Sequence, residues 1–375
     1  MFPRRTFLAA CAAVSTSMAA PEAKLEWRNK QAGMAYRRLG RTGFMVSEFL
    51  SGGDPIRLDN WEHMELALDM GLNYLDMAPA YGRGDCEKAY AKLLGGSSAK
   101  REKVFLATKV SSFGSLRNSM YDEIFKGLPA GKQEAITKRA AEMVRERGVD
   151  KPGYFIDYYP GQRNQIKPTY LANAMRQDYG HKVEGSKRFR DFIMTSLEDS
   201  LKRIGSDYFD ILHCPHGACS REELDVPEIL KTFQDLKKQG KVRYLGVTSH
   251  TDPGGVLRKA AALGHYDCAQ VAYNVINGGY VEHAMQEAAE KGMGIIAMKA
   301  AMAVATHHKP LQPVPQWRID KINRVIPGDM KPPMKAYVWA LQNPNLSAVV
   351  SNLWDKTFIR ENLSLAGKKV ELQPA

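Results

Sequence analysis

Four residues stand in an order that suits proton transfer: Asp76, Tyr81, Lys109 and His213. Asp76 and Tyr81 lie in NYLDMAPAYGRGDCE, Lys109 ends KVFLATK, and His213 lies in YFDILHCPHG. A phenol with an ordinary pKa of about 10 keeps its proton at neutral pH. An ammonium beside it favours the phenolate, and a carboxylate holds that ammonium charged and in place. An imidazole nearby hydrogen-bonds the oxygen being protonated. Together they form a proton-delivery device of the kind carbonyl reduction needs. Tyr81 is its general acid/base, Lys109 and Asp76 its tuning pair, and His213 its orienter. The hydride has to come from elsewhere, and a reduced nicotinamide supplies it.

The elements that would bring these groups together are legible around them. Each site residue lies at or just past the end of a short apolar run that reads as a buried parallel strand. Such runs recur at 48–51, 72–76, 104–109, 208–213, 243–248, 267–271, 294–298 and 346–350. Helical patterns fall between them, at 61–70, 85–94, 187–204, 226–239, 255–263, 281–291 and 331–342, with 356–365 after the last. Strands alternating with helices predict βα units and a parallel sheet. Eight of them predict an α/β fold, a (β/α)8 TIM barrel, in which residues just past the strand ends meet on one face. Upstream, YRRLG-RTG-FMVSEFLSGG predicts a β-hairpin turned at Arg41-Thr42-Gly43 that closes one end of the barrel.

Two stretches depart from this alternation. The larger runs from about 111 to 185, after the third strand; 133–147 within it reads as a helix, and GYFIDYYPGQRNQIKPTYLANAMRQDYG is aromatic without sustained periodicity. It leaves the barrel at the end where the four residues meet, so it is either a lid over the site or a surface elaboration or oligomer contact. The smaller, MAVATHHKPLQPVPQWRIDKINRVIPGD, follows the seventh strand, is rich in Pro and basic residues, and is expected to rim the site.

The ends of the chain belong to neither barrel nor insertion. MFPRRTFLAACAAVSTSMAAPEA carries Arg4 and Arg5 before a mildly apolar stretch to Ala20, the pattern of a twin-arginine export signal. The chain therefore divides into a signal at 1–20, a linker at 21–33, the barrel at 34–367 and a tail at 368–375. The expected partner at the start is the export machinery, and the expected location the periplasm. No later segment is apolar over a length that spans a bilayer. Of the 375 residues, 44% are hydrophobic and 25% charged, ordinary for a soluble domain. The net charge of +12 suits a polyanionic nucleotide or an anionic envelope surface, and no nucleic-acid-binding motif accompanies it. Cys86, Cys214, Cys219 and Cys268 are too few for a disulfide scaffold; Cys214 and Cys219 either pair or stay reduced. CPHGAC lacks the paired spacing of a zinc site, so no metal is expected.

The sequence resembles the aldo-keto reductase family. YRRLGRTGFMVSEFLSGG, GLNYLDMAPAYG, KVFLATKV, SLKRIGSDYFDILHCP, GKVRYLGVTSH, QVAYNVIN and the late RENL carry the likeness, in the family's order, from about Met34 to Leu365. The resemblance implies a nicotinamide-dependent oxidoreductase that interconverts a carbonyl and an alcohol, the carbonyl being an aldehyde or ketone and a sugar derivative among the candidates. It gives Asp76, Tyr81, Lys109 and His213 the roles derived above. On the cofactor side it places Thr248 and Ser249 with Gln270 at the carboxamide, Met298 and Lys299 under the nicotinamide, and Asn352, Glu361 and Asn362 toward the adenine end. Thr248-Ser249 stands where the family has a Ser-Asn pair, and Met298-Lys299 where it commonly stacks an aromatic. Asn352, Leu353 and Phe358 occupy positions where many members bind a 2′-phosphate, with Lys356 and Arg360 near enough to compensate. NADP(H) is the favoured cofactor and NAD(H) the alternative. A second reading is a nucleotide-binding sensing or regulatory subunit on the same barrel without catalysis; the complete set of four residues argues against it.

Overall fold

The structure is a computed structural model that describes residues 24–305 and 313–374. The expected export signal at 1–20 lies outside the described residues, as does the middle of the stretch after the seventh strand.

Eight parallel strands form a closed barrel: β1 (Phe49–Gly52), β2 (Tyr74–Asp76), β3 (Phe105–Lys109), β4 (Phe209–His213), β5 (Val242–Ser249), β6 (Cys268–Ala272), β7 (Gly294–Met298) and β8 (Ala348–Ser351). They are ordered in space as in sequence, with β8 closing onto β1. The fold is the (β/α)8 barrel expected. Most strands are buried along their whole length, which is why they read as continuous apolar runs and not as alternations. The helices between them follow their local signals. Lys187–Ile204 starts at Ser186, whose side chain accepts from Arg188 N, and ends at left-handed Gly205. It buries Phe189, Ile193, Leu197 and Ile204 at helical spacing.

The barrel interior is filled from below. Leu39, Phe44 and Val46 of the N-terminal hairpin pack with Leu50, Tyr74, Phe105, Ala107, Ile211, Cys268, Ile296 and Ala348. Phe44 stacks on Phe105 with ring centroids 4.2 Å apart. Tyr36–Arg38 pairs antiparallel with Phe44–Ser47 across a turn that ends at left-handed Gly43, as the sequence predicts. Gly40 has no alternative: its φ is +49°, and a Cβ there would lie 2.1 Å from Gly294 N.

Within the expected linker, the described residues 24–33 include a strand. Glu26–Trp27 is a third strand, parallel to Phe44–Ser47. Glu26 pairs with Arg28 at 2.7 Å and with Arg243 at 2.5 Å. Asp210, fully buried in β4, receives Arg28, Arg101 and Arg243 at 3.2, 2.9 and 2.7 Å. Three guanidiniums around one buried carboxylate compensate its desolvation and tie the entering chain to the floor of the barrel.

The insertion is more helical than expected. Phe113–Lys126, Ala130–Arg147 and Ile166–Val183 pack on one another, so most of the aromatic stretch read as irregular is a helix. The unit docks on the loops after β4, β5 and β6. Arg147 makes a fork to Glu222 at 2.5 and 2.6 Å, Tyr154 donates to Asp252 at 2.5 Å, and Asn274 donates to Tyr158 at 2.8 Å. Bidentate and buried contacts of this kind are the strong ones, and they fix the insertion as a wall beside the barrel mouth.

Candidate active site

Asp76 and Lys109 end neighbouring strands and point into the same space. Lys109 Nζ donates to Asp76 Oδ1 at 2.6 Å and to Met77 O at 2.9 Å, and each side chain is only 1% exposed. Burial pushes the Asp76 carboxyl up, and Lys109 offsets part of that. Tyr81 follows β2 on a short 3-10 turn, Tyr81–Gly84, in which Gly82, Arg83 and Gly84 all have positive φ. A Cβ at Gly82 would meet Arg57 Nε at 2.6 Å, so the glycines both permit the turn and let Arg57 pack beneath it.

Lys109 sits differently against Tyr81 than the sequence suggests. Its Nζ lies over the tyrosine ring, 4.6 Å from the centroid, and its hydrogen bonds go to Asp76 and Met77. Burial, with Asp76 adding to it, holds the Tyr81 phenol well above its ordinary range. The structure therefore presents Tyr81 in its protonated, donor form.

His213 also departs from expectation. It pairs in register with Lys109 but is wholly buried, with Nε2 3.5 Å from the hydroxyl of Tyr74 inside the barrel. Burial and Lys109 lower its pKa to about 3, so the ring is neutral. Two other imidazoles face open space, His250 and, three residues on from His213, His216. Its ring stands edge-on to Tyr81 with centroids 5.9 Å apart, and its Nδ1 is 2.9 Å from Ser111 Oγ.

Two cavities meet at Tyr81. The larger, about 940 Å³, lies between the barrel mouth and the insertion and is lined by Tyr81, His216, His250 and Lys299 together with Ser111, Ser115, Asn118, Asn164 and Thr169. The smaller, about 270 Å³, lies over the ends of β6, β7 and β8 and is lined by Asp76, Gln270, Met298, Asn352 and Asn362. Asp54, Tyr81, His250 and Lys299 line both. Polar groups converging on a concave space mark a ligand site.

Of the eight expected cofactor residues, Gln270, Met298, Lys299, Asn352 and Asn362 line the smaller cavity. Gln270 Oε1 is a buried acceptor with no partner, which a carboxamide N–H would satisfy; the residues present thus fit the nicotinamide end of a nucleotide. Three expected residues do not reach it. Thr248 and Ser249 are wholly buried and hold the loop after β4: Thr248 Oγ1 accepts from Gly217 N at 2.6 Å, and Ser249 Oγ donates to Ala218 O at 2.7 Å. Glu361 is paired with Lys331 at 2.6 Å on the surface. Asp355 caps the helix Lys356–Leu363 by accepting from Thr357 N and Phe358 N, which places a negative charge where an anion would otherwise bind.

His216, His250 and Asp54 are the site residues that sequence reasoning missed as contacts. Among the described residues no three of His, Cys, Asp or Glu group as a metal site. Cys214 and Cys219, whose pairing the sequence left open, are buried and unbridged.

Comparison with known proteins agrees with this architecture. The chain belongs to the aldo/keto reductase family, whose model matches residues 57–312. Aldo-keto reductase AMT2 of Alternaria alternata is 27% identical over 229 residues, covering 57% of this chain and 49% of that protein. L-galactose dehydrogenase of Arabidopsis thaliana is 24% identical over 243 residues, covering 56% of this chain and 72% of that protein. The chain spans about half the length of the two Alternaria relatives it matches. Among solved structures, the aldo-keto reductase AKR11C1 from Bacillus halodurans superposes with a TM-score of 0.59 at 18% identity, over 91% of this chain and 93% of that one, a likeness of fold.

Proposed function

We propose that the protein is a nicotinamide-dependent oxidoreductase that interconverts a carbonyl and an alcohol, with Tyr81 as general acid/base. The observation that carries this reading is that Tyr81 stands at the junction of two cavities, above the buried Asp76–Lys109 pair. A reduced nicotinamide held there would supply the hydride. Tyr81, protonated at rest, delivers its proton to the carbonyl oxygen, and in the reverse direction takes it back. Asp76 keeps Lys109 in place, so a cation lies under the ring when negative charge develops on it. Gln270, with Met298 and Lys299, would seat the nicotinamide; Asn352 and Asn362 would line the path beyond.

Ser111, Ser112, Ser115, Asn118, Ser119 and Asn164 place hydroxyls and amides along the wall of the larger cavity. This favours a polyhydroxylated, sugar-derived substrate over an apolar aldehyde, and the name of the Arabidopsis relative, L-galactose dehydrogenase, is in keeping with that class. NADP(H) remains favoured, with NAD(H) the alternative. Lys356 and Arg360, both exposed on the helix after β8, are the cations for a 2′-phosphate, and Asp355 works against it. The twin arginines support export of the folded chain to the periplasm.

Tyr81→Phe tests the reading. Turnover of 4-nitrobenzaldehyde with NADPH or NADH should fall by about 10²–10⁴-fold, with nucleotide affinity unchanged. Full turnover in that variant would remove Tyr81 from the chemistry; nucleotide binding without turnover in the wild type would leave a binding subunit.

A further inference from the structure

We infer that Glu223 binds substrate: one oxygen of its carboxylate accepts hydrogen bonds from the hydroxyls of a neutral sugar whose carbonyl lies at Tyr81. This deepens the proposed reading of Tyr81 as proton donor, and rests on it.

The geometry of the carboxylate carries the assignment. Glu223 lies in the turn Arg221–Asp225 after β4, is 2% exposed and borders the larger cavity. Its Oε1 accepts from Cys219 N at 2.7 Å and from Ser220 N at 3.0 Å. Its Oε2 has no hydrogen-bond partner among the described residues, and a Cβ on Gly114 would lie 2.5 Å from it. Gly114 stands in the first turn of the helix Phe113–Lys126 and forms part of the cavity wall, so the missing side chain leaves room for that oxygen at the cavity. Buried polar atoms are ordinarily satisfied, and a hydroxyl of a ligand in the cavity would satisfy this one.

The surroundings say which ligand. Arg117 is wholly buried, lies 5.1 Å from the centroid of the Tyr121 ring, and has no hydrogen-bond partner for its three nitrogens among the described residues. Its charge draws Glu223 toward the ionised form, and an ionised carboxylate only accepts. Asn118, one helical turn on from Gly114, adds a second acceptor: its Nδ2 donates to Thr169 Oγ1 at 3.0 Å, and its Oδ1 has no partner among the described residues. Two acceptors on one wall suit a pair of hydroxyls. Among the described residues lining this cavity, three carboxylates, Asp54, Asp122 and Glu223, face one ammonium, Lys299. Burial keeps His216 and His250 uncharged. That balance disfavours a sugar acid. Glu223 also weakens the fold at neutral pH, because burial raises its pKa to about 6. A group that opposes stability at the edge of a ligand cavity has the pattern of a functional residue. Gly114 and Asn118 belong to the insertion after β3, which is thereby given a part in choosing the substrate.

The experiment compares wild type with Glu223→Gln, Gly114→Ala and Tyr81→Phe in the full chain, with NADPH and with NADH. The probes are D-glucose, D-galactose, D-glucuronate, D-galacturonate, D-glucosamine and 4-nitrobenzaldehyde, and melting temperature is read for every variant. In wild type, kcat/KM for the better neutral aldose should exceed that of its uronate at least about tenfold. Glu223→Gln should raise KM for that aldose about 10–100-fold, more than it changes kcat, and narrow the lead over the uronate, while its melting temperature rises. Gly114→Ala claims the space of Oε2 without removing the charge and should raise the same KM; it decides alone should Glu223→Gln not fold. Reduction of 4-nitrobenzaldehyde but of no aldose overturns the assignment. So does a lead of D-glucosamine over D-glucose of about tenfold or more, or an aldose KM and a uronate gap that Glu223→Gln leaves as they are. A Tyr81→Phe loss in those cases keeps the reading of the site. Undiminished turnover in Tyr81→Phe, or no turnover of any probe by wild type, overturns the reading itself.

Discussion

Glu223 offers a prediction whose size follows from its surroundings. It is 2% exposed, borders the larger cavity, and accepts hydrogen bonds from Cys219 N and Ser220 N through one oxygen. Burial raises its pKa from 4.5 to about 6, with Arg117 and the two backbone donors offsetting part of the rise. In the window between those values the folded protein binds more protons than the unfolded chain. Stability therefore falls as pH rises through the window, and the cost is complete above the folded value. At ~1.36 kcal/mol per pKa unit this cost is about 2 kcal/mol. Glu223→Gln keeps an acceptor for both N–H groups and removes the charge. Relative to wild type, the variant should gain about 2 kcal/mol between pH 4 and pH 7.5. Unfolding entropies of ~2.1 cal/mol/K per residue near 60 °C make that roughly 3 °C in Tm for a chain of this size. Thermal melts of both proteins at one scan rate across that pH range, read as the difference between them, remove the other titrating groups from the comparison. A gap that does not change with pH, or that turns in favour of wild type as pH rises, would show that Arg117 stabilises the carboxylate more than burial penalises it.

The remaining predictions concern the pair beneath Tyr81, the nicotinamide seat and the barrel floor. Lys109→Met leaves Asp76 buried without its cation and should cost ~3–5 kcal/mol; adding Asp76→Leu should recover part of this in denaturant titrations, and a single variant as stable as wild type would contradict the buried pair. Gln270→Leu should weaken nucleotide binding about tenfold, ~1.4 kcal/mol, with Tm unchanged; equal affinity would place the carboxamide elsewhere. Gly40→Val puts a β-branched residue at φ +49° against Gly294 N and should cost more than ~3 kcal/mol or abolish soluble expression; wild-type Tm would refute the close approach of hairpin and barrel. Mass spectrometry of nucleotide released from denatured, freshly purified protein should identify NADP(H), with NAD(H) in its place if Asp355 governs the choice.

The barrel was legible because its strands obey one rule. Most are buried on both faces, so they appear as short apolar runs, and observed bounds differ from expected ones by a residue or two. The hairpin was legible through Arg41-Thr42-Gly43. The helix Ile166–Val183 was not, because it is buried on several sides: Ile166, Thr169, Tyr170, Ala172, Asn173, Ala174 and Met175 are all covered, leaving no single apolar stripe to read. In the site, the residue types were legible and their directions only in part. Asp76, Tyr81 and Lys109 come together, with Lys109 bonded to Asp76 and set against the ring of Tyr81. Thr248 and Ser249 spend their hydroxyls on the backbone of a neighbouring loop, and His213 turns inward where His216 does not. These outcomes depend on contacts between residues more than 30 positions apart in the chain, such as Ser249 with Ala218 or His216 with Ser111, and no local pattern encodes them.

The three-arginine arrangement at Asp210 limits how far the chain can be shortened from its N-terminal side. Glu26 supplies the carboxylate that Arg28 and Arg243 share. A truncation past Trp27 would strip that carboxylate and leave Asp210 to pair with Arg243, at the foot of the strand that ends in His213. A truncation compatible with an intact barrel must therefore stop before Glu26, and a reporter or affinity tag fused at that point would need a spacer to leave the edge strand free to pair.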